Sequence, residues 1–383
     1  MSNSYKSSVL NVASIVLLTR MYVGAATQIF AIPDFLDKSL VVFCAILCAI
    51  QISVRKYNKL EFIGLFFFGI IIVISAILSK EYTFLYTFML VLLIGKNSVK
   101  SFLSYYFRYC AALLISINII YVAGLALGMV ELSIKNGQNC FTGGFATGNA
   151  YAFIVFWLVS LYLYIHFDDC KIGHIIGFTV LSFLISYISL CKTVMVLSII
   201  NGIAITLLKN GWYPKKILEF LARWLFPVLG VAYCSAITIF ANKMGSNYAA
   251  VFAIDHFLTG RIRNAAYYYE KFGFTFWGRE ISKGAISYDD YYRLTSVTID
   301  GLYPLLFLQV GFCMFILLCL AFVLVKKNKE VGRVELYFLI VYVIFGLSEM
   351  FVANGIICFP LLILAGILFN KNNYLKIESE LKL

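Results

Sequence analysis

The chain has 383 residues, of which 62% are hydrophobic and 13% are charged, and its mean hydropathy is +0.90. Soluble domains are about 45–50% apolar and about 25% charged, so this composition excludes a water-soluble fold and indicates an integral membrane protein. The net charge of +12 does not indicate a nucleic-acid partner, because most Lys and Arg residues stand at the ends of apolar segments, where membrane proteins place them.

A membrane-crossing helix needs about 20 mainly apolar residues, and this length predicts ten to twelve crossings here. We expect an all-α polytopic membrane protein that forms a single domain, residues 1–383. The predicted spans are 9–31, 36–54, 60–79, 82–95, 103–130, 148–167, 174–191, 193–208, 218–241, 299–325, 334–350 and 353–370. The fourth and eighth are short for a full crossing.

The basic residues test this count, since one extra or missing span would invert every later loop. With both termini in the cytoplasm, most of the 31 Lys and Arg residues fall in cytoplasmic segments. The short outer loops then hold Lys38, Lys80, Lys135 and Lys192. The sequence therefore predicts a multi-pass protein of the cytoplasmic membrane, with residues 242–298 as one large loop on the outer face.

This loop is too long for a simple connection, since loops above about 12–15 residues are usually functional or disordered. It is rich in aromatic residues, which disordered segments lack, so we expect it to fold. The sequence of residues 259–273 predicts a helix, with Thr259 as its N-cap and Gly273 as its C-cap. At the helix start, Arg261 and Arg263 join free backbone N–H groups and a positive dipole end, which suits a phosphate. The alternative is that both arginines face lipid headgroups.

Arg20 stands inside the first predicted span, where a central arginine costs about 2.5–3.5 kcal/mol on insertion scales and faces the bundle interior or water. It either pairs with a carboxylate elsewhere or binds an anion. Glu349, near the outer end of a late span, is a candidate partner or a catalytic base. His256 beside Asp255 is either a general base or an ordinary interfacial histidine.

Neither a metal nor a nucleotide is predicted as a ligand. The ten cysteines are scattered with no CxxC pair, which indicates neither a disulfide framework nor a zinc site. The glycine-rich stretch 136–149 lacks the GKS/T ending of a nucleotide-binding loop. We therefore expect no cofactor.

Five short motifs follow one another in the second half of the chain. They are Phe257-Leu258-Thr259-Gly260-Arg261, Phe276-Trp277-Gly278-Arg279, Thr298-Ile299-Asp300-Gly301-Leu302-Tyr303, Leu308-Gln309-Val310-Gly311 and Gly346-Leu347-Ser348-Glu349. Their order, together with the large late loop, resembles the Wzy-type polysaccharide repeat-unit polymerases of the O-antigen polymerase and ligase superfamily. The chain departs from the family pattern at Gly301, where Asn or Ser is usual, and at Trp277-Gly278-Arg279, which lacks the first glycine.

The resemblance implies a C-type glycosyltransferase-like fold at the outer face of the bacterial inner membrane. It implies a metal-independent polymerase that joins undecaprenyl-diphosphate-linked oligosaccharides into a surface polysaccharide such as a capsule, O-antigen or exopolysaccharide. Membrane lipid, a chain-length regulator and a flippase are the other candidate partners. The alternatives are an O-antigen ligase-type transferase and a lipid-linked oligosaccharide flippase or transporter.

The resemblance also implies roles for particular side chains. The diphosphate would bind to Arg20 and Arg261, with Arg263 and Arg279 as second choices, and we expect Arg20 and Arg261 to meet in one water-accessible pocket. The base that deprotonates the acceptor hydroxyl would be His256, Asp300 or Glu349. The candidate sugar-binding aromatic residues are Tyr268, Trp277, Tyr291 and Tyr303, whose alternative role is to pack the loop onto lipid headgroups.

Overall fold

The computed structural model describes residues 3–54, 59–94, 99–135, 137–242, 247–282, 284–289, 292, 294–327 and 331–369. The helices are α1 Asn3–Ala25, α2 Asp34–Val54, α3 Lys59–Ser79, α4 Thr83–Ile94, α5 Val99–Ala126, α6 Gly148–Ile165, α7 Ile172–Ile188, α8 Lys192–Lys209, α9 Lys215–Ala241, α10 Asn247–Phe257, α11 Arg261–Phe272, α12 Leu302–Pro304, α13 Phe312–Val323, α14 Arg333–Phe345 and α15 Pro360–Phe369. The strands form two small antiparallel hairpins, β1 Ser133–Lys135 with β2 Gln138–Cys140, and β3 Gly284–Asp289 with β4 Leu294–Val297.

The helices confirm the prediction of a helical membrane protein. Within the described residues, six helices are long and apolar enough to cross a membrane, namely α2, α3, α5, α6, α8 and α9. Four shorter helices, α1, α4, α7 and α13, are also apolar. Large apolar side chains stay exposed on the outside of this bundle, such as Phe66 at 57% and Phe67 at 61% on α3. Contiguous exposed apolar surface of this kind marks contact with lipid.

Helix α6 lies at the centre of the bundle. Its residues from Tyr151 to Trp157 are all buried, as expected for a helix that is apolar on every side. Trp157 packs against Phe345 and Phe359, with ring centroids 5.4 and 5.7 Å apart. These contacts join α6 to the end of α14 and to the residue that precedes α15.

The predicted span 299–325 is not one continuous helix. It is divided into α12, a π-helical turn at Leu305–Val310 and α13, and the divide lies at Gly311, whose φ is +113°. Residues 275–279 run beside this break. The Cys313 N–H donates to the Phe276 carbonyl at 3.0 Å and the Arg279 N–H donates to the Gln309 carbonyl at 2.8 Å. The neighbouring segment thus satisfies backbone groups that the break exposes.

A second break follows α14. The predicted spans 334–350 and 353–370 shorten to α14 and α15, and between them lies a largely non-helical segment with one short 3₁₀ turn at Met350–Ala353. The Leu302 N–H donates to the Gly346 carbonyl at 2.7 Å. The start of α12 therefore lies beside the end of α14, and these two segments bring Asp300 and Glu349 to the same region.

Candidate functional site

Helix α11 begins one residue later than predicted. Gly260, with φ at +83°, is the N-cap, so the prediction of Thr259 as N-cap is wrong. Asp255 of α10 takes the capping role instead, because its carboxylate accepts the Arg263 backbone N–H at 3.0 Å. Gly273, with φ at +67°, ends the helix as predicted. The carboxylate of Asp255 thus fills the helix start at which we expected a phosphate.

The side chain of Arg263 also lies against Asp255. Its Nε is 3.7 Å from Asp255 Oδ2, and the Asp255 side chain is 4% exposed. Burial raises the pKa of the Asp255 carboxyl, while the Arg263 N–H and guanidinium oppose that rise. Arg263 therefore holds the start of α11 to α10.

Arg261 instead crosses to the second helix break. Its Nη2 donates to Glu349 Oε1 at 3.1 Å, and the two side chains are 12% and 8% exposed. Its Nη1 donates to the Leu258 carbonyl at 3.2 Å and to Thr259 Oγ1 at 2.7 Å. Charges this deeply buried occur in proteins when they are paired. The pair joins the start of α11 to the turn after α14.

The Glu349 carboxyl lies in the turn that follows α14, outside the helices. Burial raises its pKa to about 7, and the Arg261 guanidinium opposes that rise. Asp300 raises the pKa further, and Lys135 lowers it. A carboxyl with a pKa near neutrality is suited to take up a proton at physiological pH. The turn therefore presents a candidate general base beside a cation.

Tyr233, whose hydroxyl lies within electrostatic range of Arg261 and Asp300, was missed by the sequence analysis. The hydroxyl of Tyr233 on α9 and the Oδ1 of Asn264 on α11 are buried, and neither has a hydrogen-bond partner among the described residues. The charges of Arg261 and Asp300 act on the Tyr233 hydroxyl. In the sequence Tyr233 is one aromatic residue within a long apolar helix, so no local signal distinguishes it from a core residue.

Lys135 was predicted only as an outer-loop residue. Its Nζ donates to the Leu190 carbonyl and to Asn149 Oδ1, both at 2.8 Å. These bonds tie the β1–β2 hairpin to the start of α6 and to the turn between α7 and α8, within electrostatic range of Glu349. We call Lys135, Tyr233, Arg261, Asp300 and Glu349 the Glu349 site.

Arg20 does not belong to this site. Its Nη2 donates to Asp37 Oδ2 at 2.7 Å and to the Tyr86 hydroxyl at 3.1 Å. It lines a cavity of about 620 Å³ between α1, α2 and α4, which neither Arg261 nor Glu349 lines. The expectation that Arg20 and Arg261 share one pocket is therefore wrong, because Arg20 has a carboxylate partner only 17 residues away.

Two of the other predicted polar residues lie apart from the Glu349 site. His256 is exposed on α10. Arg279 donates to the Phe272 carbonyl at the end of α11. Asp300 accepts a hydrogen bond from Thr298 at 2.7 Å, and its charge acts on Glu349. Of the three candidate bases, the structure thus brings Asp300 and Glu349 together.

The predicted aromatic residues fall into two groups. Tyr268 is 2% exposed and donates to the Ser282 carbonyl at 3.1 Å, and Tyr303 is fully buried between Phe226 and Tyr233. Neither ring presents a face to a sugar in this conformation. Trp277 is 44% exposed and does present one. Tyr291 lies outside the described residues.

The described residues include no group of three or more His, Cys, Asp or Glu side chains that could hold a metal ion. No protein-family model, no curated protein and no solved structure matches the chain.

Proposed function

We propose that this protein is a polysaccharide polymerase that joins polyprenyl-diphosphate-linked oligosaccharides at the outer face of the bacterial cytoplasmic membrane. The observation that carries the proposal is the buried Arg261–Glu349 pair, which lies at a helix break in a membrane bundle. Buried ionisable groups with a shifted pKa cluster at functional sites. A cation beside a base with a near-neutral pKa suits the transfer of a sugar from a diphosphate.

The proposed topology has twelve crossings. The nine helices α1 to α9 would each cross once, followed by α12 with α13, then α14, then α15. Both termini would be cytoplasmic, and the Glu349 site would then face outward, at the same end as the β1–β2 hairpin. The contacts of Lys135 support this arrangement, because they join the hairpin to the turn between α7 and α8.

In the proposed mechanism, Arg261 binds the diphosphate of the donor lipid. Guanidinium forms bidentate, charge-assisted hydrogen bonds to phosphate oxygens, and the diphosphate would replace Glu349 as its partner. The unpartnered Nε of Arg261 supplies a further donor. The loss of its cation partner leaves the Glu349 carboxylate free to act on the acceptor.

Glu349 then removes the proton from the attacking hydroxyl of the acceptor sugar. The hydroxyl oxygen forms a bond to the anomeric carbon of the donor chain while the bond from that carbon to the diphosphate oxygen breaks. The bonding electrons leave with the polyprenyl diphosphate, whose charge increases. Arg261 stabilises that charge more in the transition state than in the ground state, which is what accelerates a reaction.

The test is reconstitution of the purified protein in vesicles with a lipid-linked repeat unit. We expect the wild type to lengthen the glycan, and Arg261→Ala and Glu349→Gln to leave single repeat units. Lys215→Ala is the matched control, because Lys215 pairs with Glu219 at 3.9 Å on an exposed helix surface. Long polymer from both site variants would refute the proposal. Movement of the lipid across the vesicle without lengthening would identify a flippase instead.

A further inference from the structure

A second arginine–carboxylate pair lines the cavity between α1, α2 and α4. The Arg20 side chain is 10% exposed and its Asp37 partner is 37% exposed. The Arg20 guanidinium lies 4.4 Å from the centre of the Tyr86 ring. Its Nε is buried and has no hydrogen-bond partner within the described chain. The cavity of about 620 Å³ thus contains a buried cation with an unused donor.

In the proposed topology, the cavity lies near the outer end of α1. Arg20 stands five residues before the end of α1 at Ala25, which is about 8 Å at the rise of an α-helix. The helix turn that carries Asp37 also exposes Phe35 at 83% and Leu36 at 49%. Exposed apolar side chains beside the opening favour a ligand that arrives from the bilayer.

Helix α4 links this cavity to the segment that follows Glu349. Tyr86 lines the cavity. The next residue, Thr87, donates to the Ala353 carbonyl at 3.2 Å and accepts the Gly355 N–H at 2.8 Å. Ala353 and Gly355 belong to the segment that follows Glu349. Helix α4 therefore contacts both the Arg20 cavity, through Tyr86, and the segment that follows Glu349, through Thr87.

The joining reaction, on which this inference rests, needs two lipid diphosphates at different places. The donor diphosphate is attached to the reacting carbon and so must lie at Arg261. The acceptor diphosphate is attached to the opposite end of its oligosaccharide from the attacking hydroxyl, so it must lie away from the reacting carbon. One arginine cannot hold both groups.

We infer that the Arg20 cavity binds the diphosphate headgroup of the acceptor lipid. Asp37 balances the charge of Arg20 while the cavity is empty. Because more than a third of its side chain is exposed, Asp37 can turn to water when the diphosphate binds. The Tyr86 hydroxyl, freed from Arg20, supplies a donor to the same anion.

The test counts bound lipid headgroups. The purified protein is reconstituted in phosphatidylcholine discs and titrated with radiolabelled undecaprenyl diphosphate. We expect the wild type to bind two equivalents of undecaprenyl diphosphate per chain, and the double variant Arg20→Ala, Asp37→Asn to bind one. The second substitution removes the carboxylate that would otherwise be left without its arginine partner. Tyr86→Phe, which keeps the ion pair, should weaken the second equivalent. Lys38→Ala is the control, because Lys38 is an exposed neighbour of Asp37, and it should bind two.

The outcomes separate the two proposals. One equivalent in the wild type, lost in Arg261→Ala but kept in the Arg20 double variant, would overturn the acceptor site and leave the proposed function standing. Two equivalents retained in Arg261→Ala would contradict the proposed function itself. If phosphatidylglycerol displaces the second equivalent at the same concentration as unlabelled undecaprenyl diphosphate, the cavity is a general site for anionic lipid and the acceptor assignment is wrong.

Discussion

The Glu349 site and the Arg20 cavity contain the same pair of charged groups in different surroundings. The two arginine side chains are almost equally buried, at 12% for Arg261 and 10% for Arg20. The carboxylates differ, since Glu349 is 8% exposed and Asp37 is 37% exposed. A carboxylate shut away from water becomes a stronger base, whereas one that keeps contact with water can exchange its partner. This difference in the burial of the two carboxylates is the basis on which we propose catalysis at the Glu349 pair and binding at the Arg20 pair.

Removing the base gives the largest expected effect. Glu349→Gln keeps the size of the side chain and removes its ability to accept a proton, so we expect kcat to fall by about 10²–10⁴-fold. The control is Glu219→Gln, which alters a surface carboxylate paired with Lys215. Initial rates of glycan lengthening measure the effect. If the rate of Glu349→Gln lies within threefold of the wild-type rate, Glu349 is not the catalytic base and the proposed catalytic role of its pair is wrong.

Residues 275–279 are anchored at the break in the late span, where the Cys313 N–H donates to the Phe276 carbonyl. In Gly278→Ala, the new Cβ would lie 2.8 Å from the Val310 carbonyl oxygen, at a φ of +117°. We expect a loss of about 1–3 kcal/mol from backbone strain and a further loss of about 1–3 kcal/mol from overpacking.

Gly284→Ala is the matched control for this substitution, because its φ is +139° and no atom lies within 4 Å of the new Cβ. Gly284→Ala should lose only the part of the stability that comes from backbone strain. Thermal unfolding in detergent measures both variants. Equal losses of stability would mean that the close approach at Gly278 does not anchor the segment.

The pH dependence tests the role of burial at Glu349. Because its pKa is raised to about 7, the carboxyl is protonated below that pH and cannot act as a base. We expect kcat/KM to fall as pH falls through 7, by about tenfold per unit at lower pH. In Asp300→Asn, a negative neighbour that raises the pKa is removed, so the midpoint should move to lower pH. A flat profile between pH 5.5 and 8 would contradict Glu349 as the base.

The smallest expected effect concerns the exposed carboxylate. Asp37→Asn removes the charge that competes with an incoming diphosphate for Arg20, so we expect the acceptor KM to decrease by up to about tenfold, which corresponds to about 1.4 kcal/mol. Steady-state kinetics with varied acceptor measure the change. An increase in the acceptor KM would mean that Asp37 contributes to binding the ligand.

Features that depend on neighbouring residues were predictable. The lengths of the apolar segments predicted a helical membrane protein, and each of the twelve predicted spans overlaps a described helix. Gly273 was identified as a helix end because its type and position are sufficient signals. The insertion cost of an arginine predicted that Arg20 is sheltered. The breaks at Gly311 and after α14 were missed. Hydropathy measures how apolar a segment is, and it carries no information about a backbone turn whose N–H and C=O groups form hydrogen bonds with a distant segment.

The sequence by itself determined which residues enter the membrane and which charges need a partner, because apolar length and burial cost are local quantities. Only the tertiary structure decided which partner each charge has. Arg261 meets Glu349 across 88 residues of chain, and Arg20 meets Asp37 across 17. The same packing buries the hydroxyl of Tyr268 against the Ser282 carbonyl. These choices depend on which helices and turns come together, and residue spacing along the chain does not contain that information.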